Sequence, residues 1–112
     1  MNIIKLKSED DLGYLVETYD KTLIQFSADW CGPCRRVSPV LEDKYKNLND
    51  PTVGYIYIDI DDHKRIAKAF QISSIPHFII YNKQGDTITL PYTSSNIDGI
   101  ISYCYEAGIQ FK

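Results

Sequence analysis

The sequence predicts an α/β fold, a mixed and mostly parallel five-stranded sheet flanked by four helices in the order β-α-β-α-β-α-β-β-α. Three observations predict it. Short apolar runs alternate along the chain with apolar stripes of helical spacing. The run Leu23–Ala28 is rich in apolar residues and Phe78–Tyr81 is apolar, as strands covered on both faces are. Only the last two runs are joined by a hairpin-length turn, Asn82-Lys83-Gln84-Gly85-Asp86, so one antiparallel hairpin is added to a largely parallel sheet.

Taken in order, Asn2 to Leu6 reads as a short first strand. Ser8 with Asp11 three residues on matches a capping box, and Leu12, Leu15, Val16 and Tyr19 form the stripe of the helix that follows. Gly13 weakens that helix slightly. After the turn Asp20-Lys21 comes the buried run from Leu23. The next helix runs from Cys34 to about Leu48, with Val37, Val40, Leu41, Tyr45 and Leu48 on roughly one face and a kink at Pro39, which removes a backbone hydrogen bond. Val53 to Ile60 alternates as a strand, with Tyr55 and Tyr57 on one face and Ile56 and Ile58 on the other. Asp59, Asp61 and Asp62 precede a helix over His63–Phe70, where carboxylates suit the dipole and a solvated role is expected, for His63 as well. Gly85 supplies the positive φ of the hairpin turn, and Thr87 to Leu90 is the return strand. Ile97, Ile100, Ile101 and Cys104 form the buried stripe of the last helix, which Gly108 ends.

Length and composition bound the function. With 112 residues there is room for one domain, residues 1–112, with one core. A net charge of −3 and a pI of about 5.2 show no electrostatic footprint for nucleic acid. No apolar run approaches the ~20 residues needed to cross a bilayer. The first ten residues are too quickly charged for a secretory signal, so a cytoplasmic, reducing setting is expected. Three cysteines make no disulfide framework there, and a Cys-x-x-Cys pair in such a setting is catalytic or metal-binding.

The stretch Trp30-Cys31-Gly32-Pro33-Cys34 carries the chemistry. Two thiols three positions apart at a helix start can close a disulfide, since their Cα atoms fall within the allowed ~4.4–6.8 Å. The helix start offers free N–H groups and the positive end of the dipole, which favour a thiolate on Cys31. Arg35 and Arg36 add positive charge, Pro33 suits the first helical position, and Gly32 leaves the sulfur unscreened. The residues thus read as an attacking Cys31 and a resolving Cys34. Zinc wants four ligands and only two cysteines are close in sequence, so no metal is expected.

Nearly all of the chain resembles thioredoxins. The resemblance rests on Phe26, Ala28, the Trp30–Cys34 stretch, the kinking Pro39, Asp59 with Asp61, Ile75-Pro76 and Gly85. It implies the thioredoxin fold, with the second strand between the third and fourth, and a cis bond between Ile75 and Pro76 beside the cysteines. There the Ile75 amide and carbonyl would pair with an extended client. Trp30, Gly32, Pro33, Ile75 and Pro76, with Thr93, would form the apolar patch around the sulfur, Trp30 packing over the cysteines.

Several positions depart from the family pattern. The buried Asp usual six residues before the first cysteine is Gln25, the Lys that faces it is Tyr57, the Thr after the cis-proline is His77, and a usual glycine is Thr93. The usual proton acceptor for Cys34 is therefore missing. Gln25, Tyr57 and His77, polar residues on three strands that the family places side by side, form a candidate proton relay, with His77 as the replacement base. Cys104 reads as a buried structural thiol.

The resemblance implies a protein-disulfide reductase without a bound cofactor, acting as a monomer on disulfide-containing client proteins and recharged by a thioredoxin reductase or similar dithiol donor. Two other expectations stand beside it: a binding module or subunit of the same fold with slow turnover, and an oxidase or isomerase of folding proteins.

Overall fold

The structure is a computed structural model and describes residues 3–111. Five strands and four helices follow one another: β1 (Ile4–Lys5), α1 (Asp11–Thr18), β2 (Lys21–Ser27), α2 (Gly32–Leu48), β3 (Val53–Asp59), α3 (Lys64–Ala69), β4 (His77–Asn82), β5 (Thr87–Ile88) and α4 (Ile97–Glu106). Asn2, expected in the first strand, lies outside the described residues. The sheet order is β1-β3-β2-β4-β5, with β2 parallel to β3, and β4 antiparallel to both β2 and β5. This is the thioredoxin fold, with the apolar run from Leu23 in the centre of the sheet.

Strand alternation divides the core into two layers. Leu23, Tyr55, Phe78 and Ile80 pack with Val37, Leu41 and Tyr45 of α2 and Ile100 and Cys104 of α4. Ile24, Phe26, Ile56, Ile58 and Ile79 pack on the other face with Leu12, Leu15 and Val16 of α1 and Ile66 and Phe70 of α3. Cys104 is fully buried, and burial pushes its thiol up to about 12, so it stays a neutral core group.

Local chemistry sets the element ends. Cys31 caps α2, with Gly32 as its first residue and Pro33 next, one position later than expected. Asn49 ends that helix in the left-handed conformation that Asn tolerates. Pro39 lies inside it. Gly85 has φ 124° in the hairpin turn and Gly108 has φ 93° after α4.

Two local expectations are corrected. The Ser8 capping box does not form: Asp10 precedes α1, and the Ser8 hydroxyl instead accepts the Asp10 N–H at 3.3 Å. His63 is not a solvated helix opener. It is buried, and its Nε2 lies 2.8 Å from the Leu6 carbonyl oxygen, tying the start of α3 to the chain just beyond β1. Among the described residues, no helix is long and apolar enough to cross a membrane.

Candidate active site

The site forms where β2, α2 and the loop before β4 meet. Cys31 and Cys34 are joined by a disulfide, with Cα atoms 5.3 Å apart, inside the range that a disulfide requires. The Cys34 N–H donates to Cys31 Sγ at 3.2 Å, one of the orphan donors of the helix start. The same contact favours a thiolate on Cys31 once the pair is reduced. Cys34, one turn into α2, is 1% exposed, and Cys31 is 4% exposed.

The apolar cover over the sulfurs comes from Ala28, Ile60 and Ile75. Trp30 is not among the buried residues that cover them. The residue is 67% exposed, and its indole N–H donates to Asp61 Oδ2 at 2.8 Å. The peptide bond between Ile75 and Pro76 is cis, and the Ile75 carbonyl oxygen lies 3.9 Å from Cys31 Sγ. Beside it runs a cleft of about 340 Å³ lined by Pro33, Ser74, Ile75, Pro76, Thr93, Ser94 and Ser95. Thr93 therefore shares one cleft with Pro33 and Ile75-Pro76. Gly32 is exposed, and of the described atoms a β-carbon there would meet only the Arg36 side chain, at 3.9 Å, so Gly32 itself adds no cover over the pair.

A second cleft, of about 470 Å³, opens on the other side of the pair. Ala28, Asp29, Cys34, Arg35, Ser38, Pro39 and Tyr57 line it. Gln25 lies beneath, fully buried, with every polar atom partnered. Its Nε2 donates to Ser27 Oγ at 2.7 Å and to Ser38 Oγ at 2.9 Å, and its Oε1 accepts the Tyr55 hydroxyl. Burial pushes the Tyr55 phenol well above its ordinary range, so it remains a neutral donor.

The strand register divides the three residues of the expected relay. Gln25 faces Tyr57 across β2 and β3, and both side chains are on the α2 side. His77 pairs with Phe26, one residue out of phase, and is on the α3 side. Its ring meets Phe26 edge-on, centroids 5.7 Å apart. Its Nδ1 is buried with no hydrogen-bond partner among the described residues, and burial lowers its pKa. His77 therefore does not join Gln25 and Tyr57, because side chains alternate between faces along a strand.

The sequence reading missed Ser27, Ser38 and Tyr55, the actual partners of Gln25. Signals existed for all three: Ser27 is two residues after Gln25 in β2 and so shares its strand face. Ser38 is four residues after Cys34 and so shares its helix face. Tyr55 is two residues before Tyr57 and so shares its strand face. The expected acidic cluster is also more specific than a solvated helix start. Asp59 is buried and accepts the Asp61 N–H at 2.8 Å, while Asp61 holds Trp30.

Comparison with known proteins agrees with this geometry. The family model described as Thioredoxin matches residues 3–103. The thioredoxin of Chlamydia pneumoniae is 39% identical over 66 residues, which cover 59% of this chain and 62% of that protein, so this match spans a little under two thirds of the relative. The thioredoxin of Mycoplasma pneumoniae is 31% identical over 81 residues, 72% of this chain and 78% of that one. Oxidised mitochondrial thioredoxin 3 of Saccharomyces cerevisiae has a TM-score of 0.77 at 27% identity, covering 96% of this chain and 92% of its own. Fasciola hepatica thioredoxin, at 23% identity, shares the fold with a TM-score of 0.82 over 93% of this chain and 98% of its own. A dithiol at a helix start, a cis-proline beside it and this sheet order agree with the matched family, and the chain belongs to the thioredoxin family, as a thiol–disulfide oxidoreductase.

Proposed function

We propose that this chain is a single-domain, cytoplasmic, monomeric reductase of protein disulfides, with Cys31 as nucleophile and Cys34 as resolving thiol. The observation that carries the reading is the Cys31–Cys34 pair on the first turn of α2, with the Cys34 N–H aimed at Cys31 Sγ. In the reduced protein, the Cys31 thiolate attacks a client sulfur. One client thiolate leaves, and Cys31 is held in a mixed disulfide. Cys34 loses its proton and attacks Cys31 Sγ. The bond to the client breaks, the second client thiolate leaves and takes up a proton, and the Cys31–Cys34 disulfide re-forms. The client is reduced by two electrons and the protein is oxidised by two. A dithiol donor, a thioredoxin reductase or its equivalent, returns them.

The client approaches along the cleft bordered by Pro33, Ile75 and Pro76, with Gly32 leaving the way open and Trp30 and Thr93 at the rim. The Ile75 backbone, 3.9 Å from Cys31 through its carbonyl oxygen, supports pairing with an extended segment. Gln25 and Tyr57 belong to the resolving side, near Cys34.

The test is dithiothreitol-driven reduction of insulin, wild type against Cys31→Ser. Catalysed turnover in the wild type and its loss in the variant support the reading. Equal rates in both overturn it. The burial of Cys31 supports a second reading, a binding module of slow turnover. That reading holds instead if the wild type fails to accelerate the reaction yet forms a stable mixed disulfide with a client.

A further inference from the structure

The resolving step needs a deprotonated Cys34, and the side chain beneath the pair at position 25 is an uncharged amide. The direction of its hydrogen bonds shows what it does. Tyr55 donates to Gln25 Oε1, and Gln25 spends both amide hydrogens on Ser27 and Ser38. Each serine oxygen is thus an acceptor toward Gln25 and keeps its own hydroxyl hydrogen for another group. Ser38 lines the cleft that Cys34 lines, and so does Tyr57. Tyr57 stands opposite Gln25 in register.

We propose that Cys34 is served by neutral hydroxyl donors in place of a buried acid: Ser38, oriented by Gln25, and Tyr57 present their hydrogens to the cleft at Cys34 and stabilise its thiolate. The inference rests on the reductase reading above. A hydrogen bond to the charged form favours that form, and it counts for more in a desolvated site. The proton leaves Cys34 to solvent in the cleft, and the donors then hold the thiolate until it attacks Cys31 Sγ. When the reductant later opens the disulfide, the same donors hold Cys34 as the departing thiolate.

Tyr57 is suited to donate. Burial, and then the carboxylates Asp59 and Asp29, raise its pKa against a hydrogen bond with Ser27 that lowers it; the net shift is upward, so it keeps its hydrogen at neutral pH. The charged groups around the cleft are Asp29 from the loop before α2 and Arg35 from α2, with Asp59 at the end of β3 and Asp62 beyond it acting on Tyr57. Arg35 favours a thiolate and the carboxylates oppose it. The variants below leave all four in place.

The reaction with 5,5′-dithiobis(2-nitrobenzoate) separates the two steps. Attack by Cys31 releases one nitrothiobenzoate, and attack by Cys34 on the mixed disulfide releases a second and closes Cys31–Cys34. Stopped-flow absorbance across pH 6–9 follows both phases in wild type, Ser38→Ala, Tyr57→Phe, the double variant and Ser38→Thr. In the double variant the pH midpoint of the second phase should rise by about one unit. At pH 7 that phase should slow only about threefold to fourfold, because the tenfold loss of thiolate is partly returned as nucleophilicity. The first phase should stay within about twofold, and Ser38→Thr, which keeps the hydroxyl, should keep the wild-type midpoint. An unmoved midpoint in the double variant, or equal slowing of both phases, overturns the inference while leaving insulin reduction intact. Loss of insulin reduction by the wild type would instead overturn the reductase reading.

Discussion

The two faces of the sheet treat buried polar groups in opposite ways. On the α2 side, Gln25 is fully buried and every polar atom of its side chain has a partner. On the α3 side, one residue out of phase, His77 is also buried, yet its Nδ1 has no partner among the described residues. A satisfied polar network inside a protein rigidifies its surroundings, whereas an unpaired group keeps a desolvation penalty. Two buried polar residues on adjacent strands therefore have opposite consequences. The comparison locates the organised chemistry on the α2 side, where Cys34 lies, and leaves His77 as a neutral ring among Phe26 and its neighbours.

Substitutions can break that comparison. The largest expected effect is Gln25→Leu. It strands the Tyr55 hydroxyl, which is fully buried, and should lower unfolding free energy by about 3 kcal/mol in urea titration. A loss below about 1 kcal/mol would show that the network adds little.

Next is Gly54→Ala, which tests packing rather than polarity on the α1 side. A β-carbon there would overlap Cδ2 of Tyr19, so the ring must move. The expected loss is about 2 kcal/mol by the same titration. A neutral result would show that Tyr19 swings away freely.

The pH dependence of stability reports on His77 directly. Burial lowers its folded pKa below the unfolded value, so the unfolded chain binds the extra proton first. Stability should be full above the unfolded pKa of about 6.5 and should fall as pH drops below it toward the folded value. Thermal unfolding of wild type and His77→Leu between pH 7.5 and 5.5 checks this. The variant should lose less Tm over that range, and an identical slope would remove His77 as the cause. The smallest effect is the variant's stability at pH 7.5. Removing an unpaired buried nitrogen should leave it unchanged or raise it by up to about 1 kcal/mol. A drop of about 2 kcal/mol would mean that His77 has a partner and that the two faces are alike.

Much of this was legible from the residues. The Cys31–Cys34 spacing, the Pro33 helix start and the Gly85 turn are local signals, and each appears in the structure where local geometry requires it. The alternation of Tyr55 and Tyr57 against Ile56 and Ile58 was equally readable, because β3 carries different residue types on its two faces. β4 offers no such marker. Phe78, Ile79 and Ile80 are all apolar, so alternation does not say which face His77 takes. The false grouping of His77 with Gln25 and Tyr57 follows from that gap. His63 failed similarly, since its partner, the Leu6 carbonyl, is 57 residues away in sequence.

The sequence alone determined what covalent spacing and helical or strand period control: the order of elements, two sulfurs within bonding reach at a helix start, and the proline loop before β4. Only the tertiary structure decided which polar groups meet: Gln25 with Ser38 and Tyr55, Trp30 with Asp61, and His63 with the Leu6 carbonyl, while His77 Nδ1 meets no partner among the described residues. The reason is register. A shift of one residue sends a strand side chain to the opposite face, and in a sheet buried on both sides the residue types there do not reveal the shift.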